Sequence, residues 1–184
     1  MDEPVALRRE TAGDTPTLTG PRVRLRRLEP GDRDALRAIL AQPEVARWWG
    51  SPSADAAVDE WLSEDDGESV GFAILVDGTV VGSIQYAEED DPEFHHAGID
   101  LFLDRDVHGQ GLGPEAIRVL ARYLLDERGH HRLTIDPASE NERAIRAYAR
   151  VGFRPVGILR QYWRAADGTW HDGLLMDLLA DELR

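Results

Sequence analysis

The chain contains no cysteine. That excludes disulfides, thiolate metal ligands and a covalent cysteine nucleophile. Group transfer must therefore run directly between substrates or use another nucleophile. No apolar run reaches the ~18 residues that a membrane helix needs. Met1 to Gly20 is mixed polar and lacks the apolar centre of a signal segment. The expectation is a cytoplasmic protein with no membrane partner. Basic residues are few, 21 Lys and Arg against 35 Asp and Glu, for a net charge of −14. This argues against nucleic acid, whose binding draws on Lys and Arg. It suits attraction of a cationic ligand, and equally an acidic surface kept for solubility. The six histidines make no metal-binding motif. His95-His96 and His130-His131 are adjacent pairs, and neighbours in a strand or helix point apart, so no metal is expected.

What is present reads as one folded domain. The chain has 184 residues, 42% hydrophobic and 30% charged, enough for a real core. Residues 1–20 carry Pro4, Gly13, Pro16 and Gly20 without periodicity and read as a flexible tail. Residues 21–184 form the domain. The first strand is expected over Arg22 to Leu28. A helix follows from Pro30-Gly31-Asp32 to about Ala41, limited by Pro43. After the aromatic segment Arg47-Trp48-Trp49-Gly50, Ser53 can cap a helix to about Ser63 that buries Ala57, Val58 and Trp61. Asp77-Gly78 joins two strands, Val70 to Val76 and Thr79 to Ala87, as a hairpin. Glu88 to Glu93 reads as an acidic loop with five carboxylates. Then come a strand Ala97 to Leu103, a glycine-rich turn His108 to Gly113, and a helix from Pro114 to about Arg128. A strand Arg132 to Asp136, a helix Asn141 to Arg150, and strands Arg154 to Trp163 and Trp170 to Leu178 complete the chain. Strands and helices mix without strict alternation, so the class is α+β or mixed-sheet α/β.

The segment Val107-His108-Gly109-Gln110-Gly111-Leu112-Gly113-Pro114 follows a strand and opens a helix. Successive main-chain N–H groups can converge there, and the helix dipole adds positive potential, so a diphosphate can be held without side-chain charge. The glycine spacing is not that of a Rossmann turn, and a Walker loop would need Gly-Lys-Ser/Thr. On its own the loop could be a plain tight turn. Further along stand Asn141, Ala144, Tyr148 and Gly152-Phe153. Taken together the pattern resembles the GNAT acetyltransferase signature over about residues 22–178. His108 stands where that family usually has Arg or Gln, and Pro114 replaces its usual Thr, Ser or Lys. The resemblance implies a mixed central sheet of about seven strands with about four helices on both faces. It implies acetyl-CoA as co-substrate. Leu101 and Leu103 would pair with the pantetheine arm, and His108, Gly109, Gln110, Gly111, Leu112 and Gly113 would hold the diphosphate. Asn141 would lie near the sulfur, and Tyr148 would act as the general acid.

Amine acylation needs a group to receive an ammonium and take its proton. Asp100 is the candidate: Ile99, Leu101 and Leu103 alternate to one face of their strand and leave Asp100 on the other. Asp136, just before Pro137, is a second carboxylate. Trp48-Trp49-Gly50, Gly98-Ile99-Asp100, Asp136-Pro137 and Arg143-Ala144-Ile145-Arg146 resemble the aminoglycoside 6'-N-acetyltransferases. In that subgroup the counterparts of Asp100 and Asp136 serve as base and as ammonium anchor, and the counterparts of Trp48 and Trp49 border the antibiotic. Gly157 to Tyr162 and Asp167 to Asp172 look instead like the ribosomal-protein and polyamine acetyltransferase branches. The expected substrate is a small cationic amine. The Trp48 region and the last strands are candidate surfaces for a homodimer.

Overall fold

The computed structural model describes residues 15–49, 53–63, 69–89 and 91–184. Its strands are β1 (Leu18–Thr19), β2 (Arg24–Arg27), β3 (Ser69–Val76), β4 (Thr79–Glu89), β5 (His96–Leu103), β6 (Arg132–Ile135), β7 (Arg154–Arg164) and β8 (Trp170–Leu179). They make one sheet in the order β1-β2-β3-β4-β5-β6-β8-β7. Every neighbouring pair is antiparallel except β5 with β6. The helices are α1 (Arg33–Leu40), α2 (Pro43–Ala46), α3 (Ala54–Ser63), α4 (Leu112–Arg122) and α5 (Glu142–Val151).

Side-chain alternation in β5 sorts the helices onto the two faces. Ile99, Leu101 and Leu103 pack with the cluster that includes Leu112, Ala116, Ile117 and Leu120 of α4 and Ile145 and Tyr148 of α5. Phe102 points the other way, into Leu36, Ile39 and Leu40 of α1, Val45 of α2, and Ala57 and Val58 of α3. Both clusters are buried aliphatic and aromatic surface, the main source of stability for such layers.

The structure differs from the sequence expectation at several boundaries. There are eight strands rather than about seven, because Leu18–Thr19, inside the expected tail, pairs with β2. Residues 1–14 of that tail lie outside the described residues. β2 begins at Arg24 rather than Arg22, because the Arg22 and Val23 N–H groups donate to the Glu115 carboxylate of α4. Pro43 does more than limit α1: it opens α2, where a proline's missing N–H has no helical partner to lose. Ser53 caps α3 as expected, its Oγ accepting from Ala56 N–H at 3.1 Å. The Trp61 side chain and Gly50 lie outside the described residues. Glu88 and Glu89 belong to β4, not to an acidic loop. Glu88 turns inward, where Arg128 and His130 donate to it at 2.9 and 2.7 Å. The Arg128 guanidinium and His130 hold its carboxyl down to about 2 against the opposing effect of burial. One ring of each histidine pair meets the other pair: His95 stacks on His130 with centroids 4.2 Å apart.

One irregularity positions the site. β4 follows β5 from Glu89–His96 to Gly82–Leu103. β6 pairs with β5 only at Ala97–Leu133 and Gly98–Thr134. Beyond Gly98 the two parallel strands part, and one edge of β5 loses its neighbour. Asp104 N–H donates to Val81 O of the β4 side at 2.8 Å. Main-chain groups alternate sides along a strand, so those of Leu101 and Leu103 face the gap. An unpaired strand edge of this kind is a template for an extended ligand.

Candidate active site

A cleft of about 550 Å³ opens at the gap, between β5, the glycine loop, α4 and α5. Gly109 and Gly111 have φ of +79° and +81°, in the left-handed region that glycine enters freely. Gly111 caps α4, so the helix starts at Leu112, two residues before the expected Pro114. The N–H groups of Leu112 and Gly113 therefore belong to the first turn, where helical N–H groups lack internal partners and the dipole is positive. Pro114 contributes no N–H. Arg22, Arg118, Arg143 and Arg150 also line the cleft, with Glu44 among them. In a chain of net charge −14, this grouping gives the cleft a cationic lining, with Arg22 paired to Glu115.

His108 bridges the two walls. Its Nδ1 lies 2.7 Å from Arg143 Nη1 of α5, and its Nε2 lies 2.9 Å from Leu103 O of β5. Arginine only donates and a carbonyl only accepts, so Nδ1 is bare and Nε2 carries the proton. Burial, helped by the Arg143 charge, lowers the imidazole pKa and keeps the ring neutral.

A second pocket of about 170 Å³ adjoins the cleft. Trp48, Trp49, Leu101, Asn141 and Tyr148 line both. Asp100 and Asp136 face into the smaller one, with Tyr162 and Trp163 on its far wall. Asp100 is reached by solvent through the pocket mouth, yet protein surrounds its carboxylate. Burial first, and the Asp136 charge second, push it up to about 6, against a hydrogen bond from Gln85 on β4. Asp136 is also raised by burial, and the hydrogen bond from Tyr162 opposes that rise. Tyr162 Oη donates to Asp136 Oδ2 at 3.1 Å, and burial next to the two aspartates lifts its phenol to about 12. Tyr148 is raised further by burial, Asp100 and Asp136, so its phenol stays protonated. The cleft and the pocket thus have opposite character: cations line the first, carboxylates and rings the second.

The residues singled out from sequence fall as follows. Leu101, Leu103, His108, Gly109, Gly111, Leu112, Gly113, Asn141 and Tyr148 line the cleft. Gln110 does not: its side chain turns back to donate to Asp106 O at 3.1 Å, and its carbonyl accepts from Arg22 at 2.9 Å. Asn141 has a structural task that its expected role left out. Its Oδ1 caps α5 by accepting from Ala144 N–H at 3.2 Å, which leaves the amide to donate elsewhere. Trp49 meets Phe102 edge-on at 5.4 Å, so it is both core and wall. The Arg47 guanidinium sits 4.3 Å over the Trp48 ring. Sequence reasoning gave no site role to Trp163, Gln85 or the four cleft arginines, nor to Tyr162, although Tyr162 and Arg143 stand in segments that it singled out. Gln85 is found only from strand register, which sets it opposite Asp100. Trp163 stacks on His171 at 4.8 Å, and its buried Nε1 has no partner among the described residues.

Comparison with known proteins identifies the fold. The acetyltransferase (GNAT) domain family matches residues 22–154. The chain is 29% identical over 153 residues to the aminoglycoside N(6')-acetyltransferase type 1 of Klebsiella pneumoniae, covering 73% of this chain and 75% of that one. It is 25% identical over 168 residues to YdaF of Bacillus subtilis, provisionally named a ribosomal N-acetyltransferase, covering 85% and 88%. The structure of Mycobacterium smegmatis RimJ in complex with CoA-disulfide superposes with a TM-score of 0.82 at 24% identity, covering 93% of this chain and 90% of that one, which shows the shared fold. An arginine-lined cleft at a parted strand edge, a glycine-capped helix and this family match agree: the chain belongs to the GNAT acetyltransferases and is an acyltransferase.

Proposed function

We propose that the chain transfers an acetyl group from acetyl-CoA directly to a primary amine of a small polycation, the 6'-amine of aminoglycosides foremost. The observation that carries this reading is the placing of Asp100 and Asp136 together in an aromatic-walled pocket that opens onto the cleft. Carboxylates attract ammonium groups, and indole rings stack on cationic sugars. The cleft fits the co-substrate on its own terms. The open edge of β5 at Leu101 and the Leu103 N–H suits an amide-bearing arm, the Leu103 carbonyl being taken by His108, and the amides of the glycine loop suit a diphosphate. Bound acetyl-CoA supplies an activated acyl thioester.

The chain's own groups do the rest. Asp100 is ionised at neutral pH and accepts a proton from the substrate ammonium, which frees the nitrogen lone pair to form the C–N bond. Tyr148 Oη delivers a proton to the sulfur as the C–S bond breaks. The second proton that the nitrogen sheds restores the phenol. Asp136 stays anionic as an anchor for a further ammonium group.

The test is thiol release with aminoglycosides, spermidine and N-terminal peptides as acceptors. Turnover on 6'-amino aminoglycosides, lost on those lacking that amine, is the expected result. Good turnover on peptides alone would replace it with acetylation of protein N-termini. YdaF supports that second reading, since its similarity spans more of the chain.

A further inference from the structure

One residue of the smaller pocket stands on a backbone irregularity that strand pairing alone does not produce. After a first bulge at Val156, β7 and β8 pair from Gly157–Leu175 to Leu159–Gly173 and resume only at Trp163–His171. Arg160, Gln161 and Tyr162 thus stand opposite Asp172 alone. Such a bulge re-aims the side chains that follow it. Gln161 takes φ of +49°, unusual for a residue with a side chain. Its N–H is secured by Asp172 Oδ1 at 2.8 Å. The Tyr162 ring settles on Gly173, where an added Cβ would lie 2.8 Å from Tyr162 Cδ1.

The partner of Tyr162 is fixed by the same strand. After Asp136 the chain is laced to β8: Leu174 N–H donates to Pro137 O, Ser139 N–H donates to Asp172 O, and Ala138 bridges Gly173. Both ends of the Tyr162–Asp136 hydrogen bond are therefore tied to residues 172–174. Oδ2 of Asp136 is held by the phenol at 3.1 Å, and one carboxylate edge is left for a ligand.

We infer that Tyr162 is a positioning residue of the acceptor site. Acting through Asp136, it fixes where a second ammonium of the acceptor sits, and so favours diamines and polyamines over monoamines. This rests on the amine-acetylation reading above. The two aspartates then divide the work. The Tyr162 hydrogen bond favours the ionised form of Asp136, while the Asp136 charge adds to burial in pushing the Asp100 carboxyl up despite its hydrogen bond from Gln85, so Asp100 carries the proton. Tyr162 itself touches no reacting atom in this scheme.

The experiment compares wild type, Tyr162→Phe, Asp136→Asn and the double variant. The probes are spermidine and a 6'-amino aminoglycoside as polyamines, and benzylamine as monoamine. Loss of a hydrogen bond to a charged group predicts a KM for the polyamines about tenfold higher in Tyr162→Phe. The KM for benzylamine and for acetyl-CoA should stay within about twofold. In the Asp136→Asn background the Tyr162→Phe change should have no further effect. An equal effect on monoamine and polyamine, or the same loss with and without Asp136, would overturn the inference. So would no effect at all. Unchanged acetyl-CoA affinity verifies that each variant is folded. If wild type acetylates none of the three amines, it is the acceptor reading that fails. Titration of spermidine into the CoA-loaded protein then still reads the Tyr162–Asp136 coupling without turnover.

Discussion

Lowering the pH from 7 to 5 should cut kcat/KM for the amine about tenfold. Asp100 must be ionised to accept the substrate proton, and its carboxyl is pushed up to about 6. A group of that pKa is roughly nine-tenths ionised at pH 7 and roughly one-tenth at pH 5. The acceptor amine is fully protonated throughout that range, so it adds no slope of its own if the pocket binds the ammonium. If solution had to deliver the free amine instead, a further tenfold would be lost per unit. Asp136→Asn removes the second cause of the rise and should bring the acid limb down without abolishing it, since burial, the larger cause, remains. The assay is initial-rate thiol release at saturating acetyl-CoA from pH 5 to 8. A flat wild-type profile from pH 7 to 5 would refute the base assignment. The same group has a stability signature. Asp100 has a folded pKa above its unfolded value, so the folded state binds the extra proton between about 4 and 6. Stability is lost as pH rises through that window, and the penalty is full above it. Asp100→Asn should therefore raise stability by about 1 kcal/mol at pH 8, with solvent in the open pocket reducing the effect, and by little at pH 4.

Other consequences can be checked independently. Gly111→Ala forces a side chain into φ of +81° at the cap of α4, and should cost about 1–2 kcal/mol in thermal unfolding and weaken acetyl-CoA in calorimetry. Glu88→Ala removes the carboxylate to which Arg128 and His130 donate and should cost about 3 kcal/mol in urea unfolding at pH 7. The Glu88 carboxyl is depressed, so its contribution is present above about pH 4 and fades as pH falls toward 2. Asn141→Ala removes the cap of α5 and should cost about 1 kcal/mol, whereas Asn141→Asp, which keeps the capping oxygen, should not.

The sequence was legible wherever a local rule acts alone. Asp77-Gly78 takes φ of +49° and +79°, as a two-residue hairpin requires. Alternation in β5 placed Asp100 on the face opposite Leu101. What stayed hidden depends on contacts between distant segments. The shortened β2 follows from Glu115, 93 residues from Arg22. The start of α4 at Leu112 follows from the left-handed turn at Gly111, while proline chemistry pointed to residue 114. The segment of Tyr162 stood out in sequence but its place in the pocket did not: a glutamine at positive φ breaks the alternation, and the phenol's partner stands 26 positions away. Trp48 and Trp49 looked alike in sequence, yet one ring is covered by Arg47 and the other meets Phe102.

The central claim is that the carboxylate of Asp100 handles the proton of an ammonium seated beside the cleft. Asp100→Asn keeps shape and removes that charge. Single-turnover acetyl transfer with a 6'-amino aminoglycoside should slow by about 10²–10⁴, while the dissociation constant of acetyl-CoA stays within about twofold. Transfer at the wild-type rate, or a loss of acetyl-CoA binding that matches the loss of rate, would contradict it.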